Sequence, residues 1–311
     1  MFNNFDKREE VMNIRRLKPH VVTKVWGGYF LNKKRHLNLP EDTKVGETWE
    51  ISIHSDGPSI SENEKLSSIY TDKQIPYLVK LIDTSDYLSV QVHPGDEYAR
   101  IHENSTGKTE CWLILDSKPG CGIYLGLKKG VTKEEFQKAI EDKKDMSQFL
   151  NFYEVKNGDF FFVPAGTIHA IGKDVTLAEI QQSSGITYRV WDWNRLDDNG
   201  NSRELHISKA LDVINFSTEA NQKDFFQVKS NLFERSEDTL LANHFCFCSE
   251  LINVNGKRTI NLSGKQEISS LMVLKGKVSI NDTNLDQFES IVFDKQQEIN
   301  IEGEAVLLAI S

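Results

Sequence analysis

The feature that most constrains the fold of this chain is a series of short segments rich in β-branched and aromatic residues. They are punctuated by Gly, Pro or Asp, as β-strands between tight turns are. In the first two thirds of the chain the predicted strands are 45–54, 77–83, 87–93, 110–116, 121–127, 159–166 and 175–182. Further short strands are predicted from about residue 226 to the end. Many short strands with few helices indicate a mainly all-β sandwich or barrel, here two in tandem.

One segment, 132–143, has the pattern of a helix. Thr132 can cap it, with Glu135 three residues further on, and an apolar stripe follows at helical spacing. The stripe consists of Phe136, Ala139 and Ile140. A second, shorter helix is predicted within 204–215.

A polar stretch around 217–225 divides the predicted strands into two groups. We therefore predict a first domain at 1–225, with a helical insertion near 131–150, and a second domain at 226–311. The two share weak similarity in their late strands. The predicted second domain, 226–311, contains one histidine, His244, and is predicted to have no metal centre of its own.

The composition of the 311-residue chain limits the classes of function. It is 39% hydrophobic and 27% charged, as is usual for a globular protein, and its net charge of −9 argues against nucleic-acid or anionic-membrane partners. The N-terminus lacks the apolar core of a signal peptide, and no run is long enough to span a membrane. The four cysteines form no CxxC pair, which favours a cytoplasmic protein with reduced thiols. We expect a monomer or a homodimer.

The stretch 88–95 places two polar side chains where a strand usually buries apolar ones. Gln91 and His93 are two residues apart, so they share one face of the strand. A second stretch, 158–169, reads Gly-x5-Pro-x-Gly-x2-His and ends at His169. This is the spacing of the second metal-binding motif of cupin barrels, and the first motif of those barrels has two ligands at i and i+2 followed by a Glu. Glu110 fits the position of that Glu, although more residues separate it from His93 than in the cupin motif.

The predicted metal site is therefore Gln91, His93, Glu110 and His169. Two imidazoles, a carboxylate and an amide oxygen suit Zn²⁺, one ion per chain. The same thiolate-free set could take Fe²⁺ or Mn²⁺, so the ligands alone do not fix the metal.

The sequence resembles the type I mannose-6-phosphate isomerases, particularly the short bacterial form. Seven ordered matches carry the resemblance: Trp26-Gly-Gly28, "GETWEIS" at 46–52, "PYLVKLID" at 76–83, "LSVQVHP" at 88–94, "GKTECW" at 107–112, "VPAGTIHAIG" at 163–172 and "TYRVWDWNR" at 187–195. The resemblance implies two tandem cupin-like jelly-roll barrels with a small helical insertion. It also implies that the four predicted ligands bind zinc.

The family reaction interconverts mannose 6-phosphate and fructose 6-phosphate through a cis-enediol. A divalent metal near the sugar oxygens can stabilise the enediolate, and a base must move the proton. By resemblance Arg189 is catalytic, and Lys80, Lys108 and Arg195 line the same cleft.

For three of these basic residues the sequence itself supports a role in the cleft or offers an alternative to it. Lys108 is two residues before Glu110 and so faces the same side if the strand extends that far, and we assign it a catalytic role with Arg189. Lys80 could instead be a surface charge on a half-exposed strand. Arg195 could instead pair with Asp192 or Asp197. Trp26 and Glu50 complete the predicted substrate-binding residues, together with Lys80 and Arg195.

One position departs from the family pattern. Many members carry Asp four residues before the catalytic arginine, whereas this chain has Gly185. The proton-transfer base is therefore unassigned, and Glu47, Glu50 and His54 are candidates. Glu50 shares a face with Ser52, and Glu47 shares the other face with Trp49.

Two other readings remain open. The chain could be a bicupin metalloenzyme of different chemistry, such as an oxygenase or another sugar isomerase. It could also be a sugar-binding cupin without catalytic activity.

Overall fold

The computed structural model describes residues 14–196, 199–294 and 298–311. Strands are far more abundant than helices in this part of the chain, which confirms the predicted class. No helix within the described ranges is long and apolar enough to cross a membrane.

Fourteen strands lie before residue 200 in the described part of the chain. They are β1 (Ile14–Leu17), β2 (His20–Gly28), β3 (Val45–Ile51), β4 (Ile60–Ser61), β5 (Glu64–Lys65), β6 (Tyr77–Asp83), β7 (Val90–Val92), β8 (Glu110–Ser117), β9 (Gly122–Leu127), β10 (Leu150–Glu154), β11 (Phe160–Val163), β12 (His169–Ile171), β13 (Val175–Gln182) and β14 (Tyr188–Trp191).

The later strands are longer, and the helices are short. The strands are β15 (Thr239–His244), β16 (Phe247–Ile260), β17 (Ile268–Ile280), β18 (Thr283–Leu285), β19 (Ser290–Asp294) and β20 (Ile299–Ile310). The helices are α1 (Phe30–Arg35), α2 (Leu66–Ile69), α3 (Asp96–Glu103), α4 (Lys133–Glu141) and α5 (Ile207–Val213). Single 3₁₀ turns lie at Met146–Phe149, Glu219–Asn221, Lys223–Phe226 and Leu232–Glu234.

Several predicted elements are confirmed. The strands at 77–83 and 175–182 have the predicted bounds, whereas the strand predicted at 87–93 is reduced to β7. The predicted helix at 132–143 is α4, and Thr132 Oγ1 accepts a hydrogen bond from the Glu135 amide at 3.1 Å. The capping signal in the sequence therefore identifies where this helix begins.

The strands form three main antiparallel sheets and a small hairpin of β4 and β5. The first sheet has the order β10-β9-β12-β7-β14, and the second has the order β11-β8-β13-β6-β3-β2. The third has the order β1-β19-β17-β20-β16-β15, with β18 paired to β17.

The second sheet is the middle layer of the molecule. Since successive residues of a strand point to opposite faces, β8 sends Trp112 and Ile114 towards the first sheet and Cys111 and Leu113 towards the third. All four side chains are buried in apolar clusters. The second sheet is thus apolar on both faces, as a sheet between two others must be.

The outer face of the first sheet is covered by helices. Val90 and Val92 of β7 belong to one apolar cluster with Phe136 of α4 and Leu211 of α5. The opposite face of β7 is therefore turned towards the second sheet, and Gln91 belongs to that face. The predicted helical insertion lies on the outside of this sheet.

The first described strand of the chain forms one edge of the third sheet. β1 pairs with β19, with Leu17 opposite Ser290. An apolar cluster lies within the third sheet, with Leu271, Val273 and Leu307 among its members. The division into domains at 1–225 and 226–311, and their description as tandem barrels, remain predictions.

Candidate functional site

Three of the four predicted metal ligands meet between the first and second sheets. Glu110 begins β8, His169 begins β12 and His93 follows β7 directly. Glu110 Oε1 is 3.4 Å from His169 Nε2, and Glu110 Oε2 is 3.5 Å from His93 Nε2. The candidate ligand atoms of the three residues all lie within 4.8 Å of one another, and all three side chains are buried.

Backbone carbonyls orient both imidazoles. His93 Nδ1 is 2.8 Å from the Ile186 carbonyl oxygen, and His169 Nδ1 is 2.9 Å from that of Thr167. Because a carbonyl can only accept, each Nδ1 carries the hydrogen and each Nε2 keeps its lone pair for the centre.

The turn before His169 explains the glycine of the motif. Gly166 has φ +84°, a conformation that side chains other than glycine rarely adopt, and its amide donates to the His93 carbonyl at 2.8 Å. This hydrogen bond joins the turn before one ligand to the backbone of another. The glycine thus holds His93 and His169 in fixed relative positions.

The buried polar atoms of the site fit a divalent cation. Glu110 Oε1 and His169 Nε2 make no hydrogen bond with any residue in the described part of the chain. Burial lowers the pKa of His169 to about 4, and burial together with Lys108 lowers the pKa of His93 well below its usual range. Both rings are therefore neutral at pH 7, as metal ligation requires.

Gln91 lies on the same face by strand register. It is opposite His169 on β12 and opposite Arg189 on β14. Residues directly opposite each other in antiparallel strands point to the same side, so these three side chains share one face. The role of Gln91 as fourth ligand remains a prediction.

Lys108 lies among the ligands. Its Nζ is 2.7 Å from Glu110 Oε2 and donates to His93 Nε2 at 3.0 Å. The side chain is buried. Lys108 and Glu110 therefore face the same side, as the two-residue spacing predicts, although β8 begins only at Glu110.

Glu179, a buried carboxylate beside this centre, was not among the predicted site residues. Its Oε1 is 3.1 Å from Lys80 Nζ, and its Oε2 accepts from Trp112 Nε1 at 3.3 Å. Glu179 is a charged residue inside the predicted strand 175–182, and this is the same signal that singled out Gln91 and His93. Lys80 is 9% exposed, so the reading as a half-exposed surface charge is wrong.

The two carboxyls of the site differ in acidity. Burial, followed by the charge of Glu179, raises the pKa of Glu110 to about 7. Burial alone would also raise the pKa of Glu179, but Lys108 and Lys80 outweigh it and lower that pKa to about 2. Near neutral pH one carboxyl is therefore fully ionised and the other is close to its midpoint.

Arg189 and Arg195 differ in how firmly their guanidinium groups are held. Arg189 Nη1 donates to the Glu204 carbonyl at 2.8 Å, while its buried Nε makes no hydrogen bond within the described ranges. Arg195 is held by Asp192 at 3.0 Å, by Asp86 at 3.3 Å and by the Tyr87 carbonyl at 2.6 Å. The alternative pairing with Asp192 is therefore present, and Asp197 lies outside the described residues.

Trp26 and Glu50 are buried in different layers of the molecule. Trp26 is buried in the apolar cluster between the first two sheets. Glu50 is fully buried, 3.0 Å from Arg35 Nη2, and its carbonyl accepts a hydrogen bond from Ser290 Oγ of the third sheet. Glu50 thus lies between the second and third sheets.

The other two candidate bases lie on the site's side of the second sheet. Trp49 Nε1 donates to Glu47 Oε2 at 2.6 Å, and Glu47 Oε2 is 3.7 Å from Lys80 Nζ. The imidazole of His54 packs edge-on against Trp49, with 5.6 Å between ring centroids.

The fold and the site define a layered antiparallel β-protein with a buried His/Glu/His group that could hold a metal ion. The profile described as "Phosphomannose isomerase type I, catalytic domain" matches residues 14–111. The mannose-6-phosphate isomerase of Streptococcus mutans is 34% identical, with 85% of this chain and 86% of that protein covered. The probable mannose-6-phosphate isomerase GmuF of Bacillus subtilis is 42% identical, over 64% of this chain and 67% of that protein.

A solved structure is similar along nearly the whole chain. The mannose 6-phosphate isomerase from Bacillus subtilis superposes with a TM-score of 0.80 at 27% identity, over 96% of this chain and 99% of that one. The chain belongs to the type I phosphomannose isomerase family.

Proposed function

We propose that this protein is a metal-dependent aldose–ketose isomerase that interconverts mannose 6-phosphate and fructose 6-phosphate. The observation that carries this proposal is the buried centre of His93, Glu110 and His169, with Lys108 in contact with it, in a chain of this family. The names of the similar proteins supply the substrate.

We further propose one Zn²⁺ per chain, held by Gln91, His93, Glu110 and His169. Neutral imidazoles, a carboxylate and an amide oxygen are ligands that suit this ion. When bound, it supplies Lewis-acid stabilisation of negative charge on a sugar oxygen. The site is also proposed to act in a cytoplasmic monomer or homodimer whose partner is a small sugar phosphate.

The basic residues are proposed to bind and orient the substrate. Lys108 supplies a fixed positive charge beside the ligands, and Lys80 supplies another that Glu179 holds in place. Arg189 has a partly free guanidinium and is proposed to be catalytic with Lys108. Arg195 is held by two carboxylates and is proposed to contribute to substrate binding through its position at the cleft.

The assignments of Trp26 and Glu50 to substrate binding remain predictions. Trp26 is buried in the apolar cluster between the first two sheets, and Glu50 is buried against Arg35. A role in substrate binding would require each to act through its neighbours.

The isomerisation itself is the first test. The purified protein is expected to convert mannose 6-phosphate to fructose 6-phosphate, to lose this activity on chelation and to regain it with Zn²⁺. Conversion in deuterium oxide with exchange at C2 would distinguish catalysis from sugar binding alone. A fully metallated protein without turnover would contradict the proposal, and oxygen consumption would favour an oxygenase.

Metal binding is expected to release a proton in a pH-dependent manner. The pKa of Glu110 is raised to about 7, so this carboxyl is mostly protonated below pH 7 and must lose its proton to become a ligand. Proton release from Glu110 is therefore expected to be larger at pH 6 than at pH 8.

The measurement is calorimetric titration of chelator-treated protein with Zn²⁺ in two buffers of different ionisation enthalpy. Glu110→Gln is the matched control, since subtracting its proton release removes contributions from water and from the imidazoles. A difference between the two proteins that stays constant from pH 6 to pH 8 would contradict the assignment.

A further inference from the structure

The space beside Gly185 is bordered by an imidazole. A Cβ atom on residue 185 would lie 3.3 Å from His54 Nε2 and 3.4 Å from His54 Cε1. Glycine at this position therefore leaves one edge of the His54 ring open. His54 Nε2 makes no hydrogen bond within the described residues, and the side chain is 17% exposed.

Two neighbours of His54 also contact residues of the proposed site. Gly185 precedes Ile186, whose carbonyl orients the ligand His93. The ring of Trp49 contacts both His54 and Lys80, with 5.6 Å between the Trp49 and His54 ring centroids and 5.1 Å from Lys80 Nζ to the Trp49 ring centroid. One neighbour thus separates His54 from the lysine that Glu179 holds, and the Gly185–Ile186 segment connects it to His93.

The hydrogen bonds of His54 determine which nitrogen can donate. Its Nδ1 accepts a hydrogen bond from the Asp56 amide at 3.2 Å. Since an accepting nitrogen carries no hydrogen, the neutral ring has its hydrogen on Nε2. His54 therefore presents a fixed N–H donor, and not a lone pair, at the open edge beside Gly185.

We propose that His54 Nε2–H donates a hydrogen bond to the sugar oxygen on which negative charge develops during isomerisation. This inference rests on the proposed function. As a separate base takes the C2 proton, the C2–H electron pair forms the C1–C2 double bond and the carbonyl pair moves to O1. The hydrogen of His54 stays on nitrogen, so His54 is a donor and not the base. A donor placed where charge develops is a strong catalytic device.

Two variants separate a donor from a base or a packing residue. In His54→Asn the side-chain oxygen can still accept from the Asp56 amide, but no N–H reaches the former Nε2 position. In His54→Gln the longer side chain can place an amide N–H near that position. We expect His54→Asn to lower kcat by about 100-fold with bound metal unchanged, and His54→Gln to retain most of the wild-type rate.

His20 supplies a matched control, because its ring also packs edge-on against Trp49 but lies beside Gly57 instead of Gly185. His20→Asn is expected to keep the wild-type rate. Wild-type activity in His54→Asn, or equal losses in both His54 variants, would overturn the donor role. Absence of turnover in the wild-type protein would instead contradict the proposed function.

A second measurement does not depend on turnover. Nitrogen-15 NMR of histidine-labelled protein is expected to show His54 with its hydrogen on Nε2, and the Nε2 signal is expected to shift when mannose 6-phosphate is added. A hydrogen on Nδ1, or an Nε2 signal that the sugar phosphate leaves unchanged, would overturn the inference.

Discussion

His169→Ala is expected to abolish stoichiometric metal binding and to lower kcat/KM by about 10³-fold. His169 supplies one of two neutral imidazoles and has a buried Nε2 that no described residue satisfies. Loss of about 4 kcal/mol of transition-state stabilisation, the scale of Lewis-acid catalysis, corresponds to this factor. Elemental analysis of metal per chain and steady-state kinetics measure the two effects.

The control for this variant is His102→Ala, since His102 is exposed on α3 and stacks on Tyr98. It is expected to keep both the ion and the rate. His169→Gln fills more of the buried space than His169→Ala does. It therefore tests the same ligand if His169→Ala does not fold. A folded His169→Ala protein with full metal content and full activity would show that the ligand assignment is wrong.

Glu50→Ala is expected to lower the free energy of unfolding by about 3–5 kcal/mol, because it removes one partner of a buried ion pair. Arg35 Nη2 lies 3.0 Å from Glu50, and the two side chains are 9% and 0% exposed. Arg35 Nη1 donates to the Phe288 carbonyl, which lies between β18 and β19. Without Glu50, the Arg35 charge would be left buried between two sheets.

Denaturant unfolding monitored by fluorescence and circular dichroism measures this loss. Glu289→Ala removes a comparable but exposed pair with Arg16 and is expected to cost at most about 1 kcal/mol. Equal costs for the two variants would contradict a special role for the buried pair. A stable Glu50→Gln protein that no longer binds mannose 6-phosphate would instead support Glu50 as a substrate-binding residue.

The sequence predicts much of the site, because the ligands follow local patterns. His93 and His169 come from motifs in which a strand end and a turn fix the direction of each side chain. The alternation of side chains along a strand also predicts that Lys108 faces the same side as Glu110. Glu179 belongs to neither metal-binding motif, and its local signal is a charge within a strand that is buried along its whole length.

Glu50 shows what alternation along a strand leaves open. Alternation predicts that Glu50 lies on the face opposite Glu47 and Trp49, and Thr48 Oγ1, two residues earlier, donates to Glu50 Oε1 at 2.7 Å. Glu47 and Trp49 do share a face, as predicted, and are hydrogen-bonded. The layer on the other side of Glu50 is formed by distant parts of the chain, which local sequence does not indicate.

The pairing of β1 with β19 has a consequence for biosynthesis. Synthesis proceeds from the N-terminus, so β1 leaves the ribosome early, whereas the strand that completes its hydrogen bonds is made near the end. The segments that carry His93, Glu110 and His169 are made long before that partner. During translation β1 therefore lacks its partner until β19 is made, and a product truncated before β19 would expose the hydrogen-bonding edge of β1 that β19 otherwise covers.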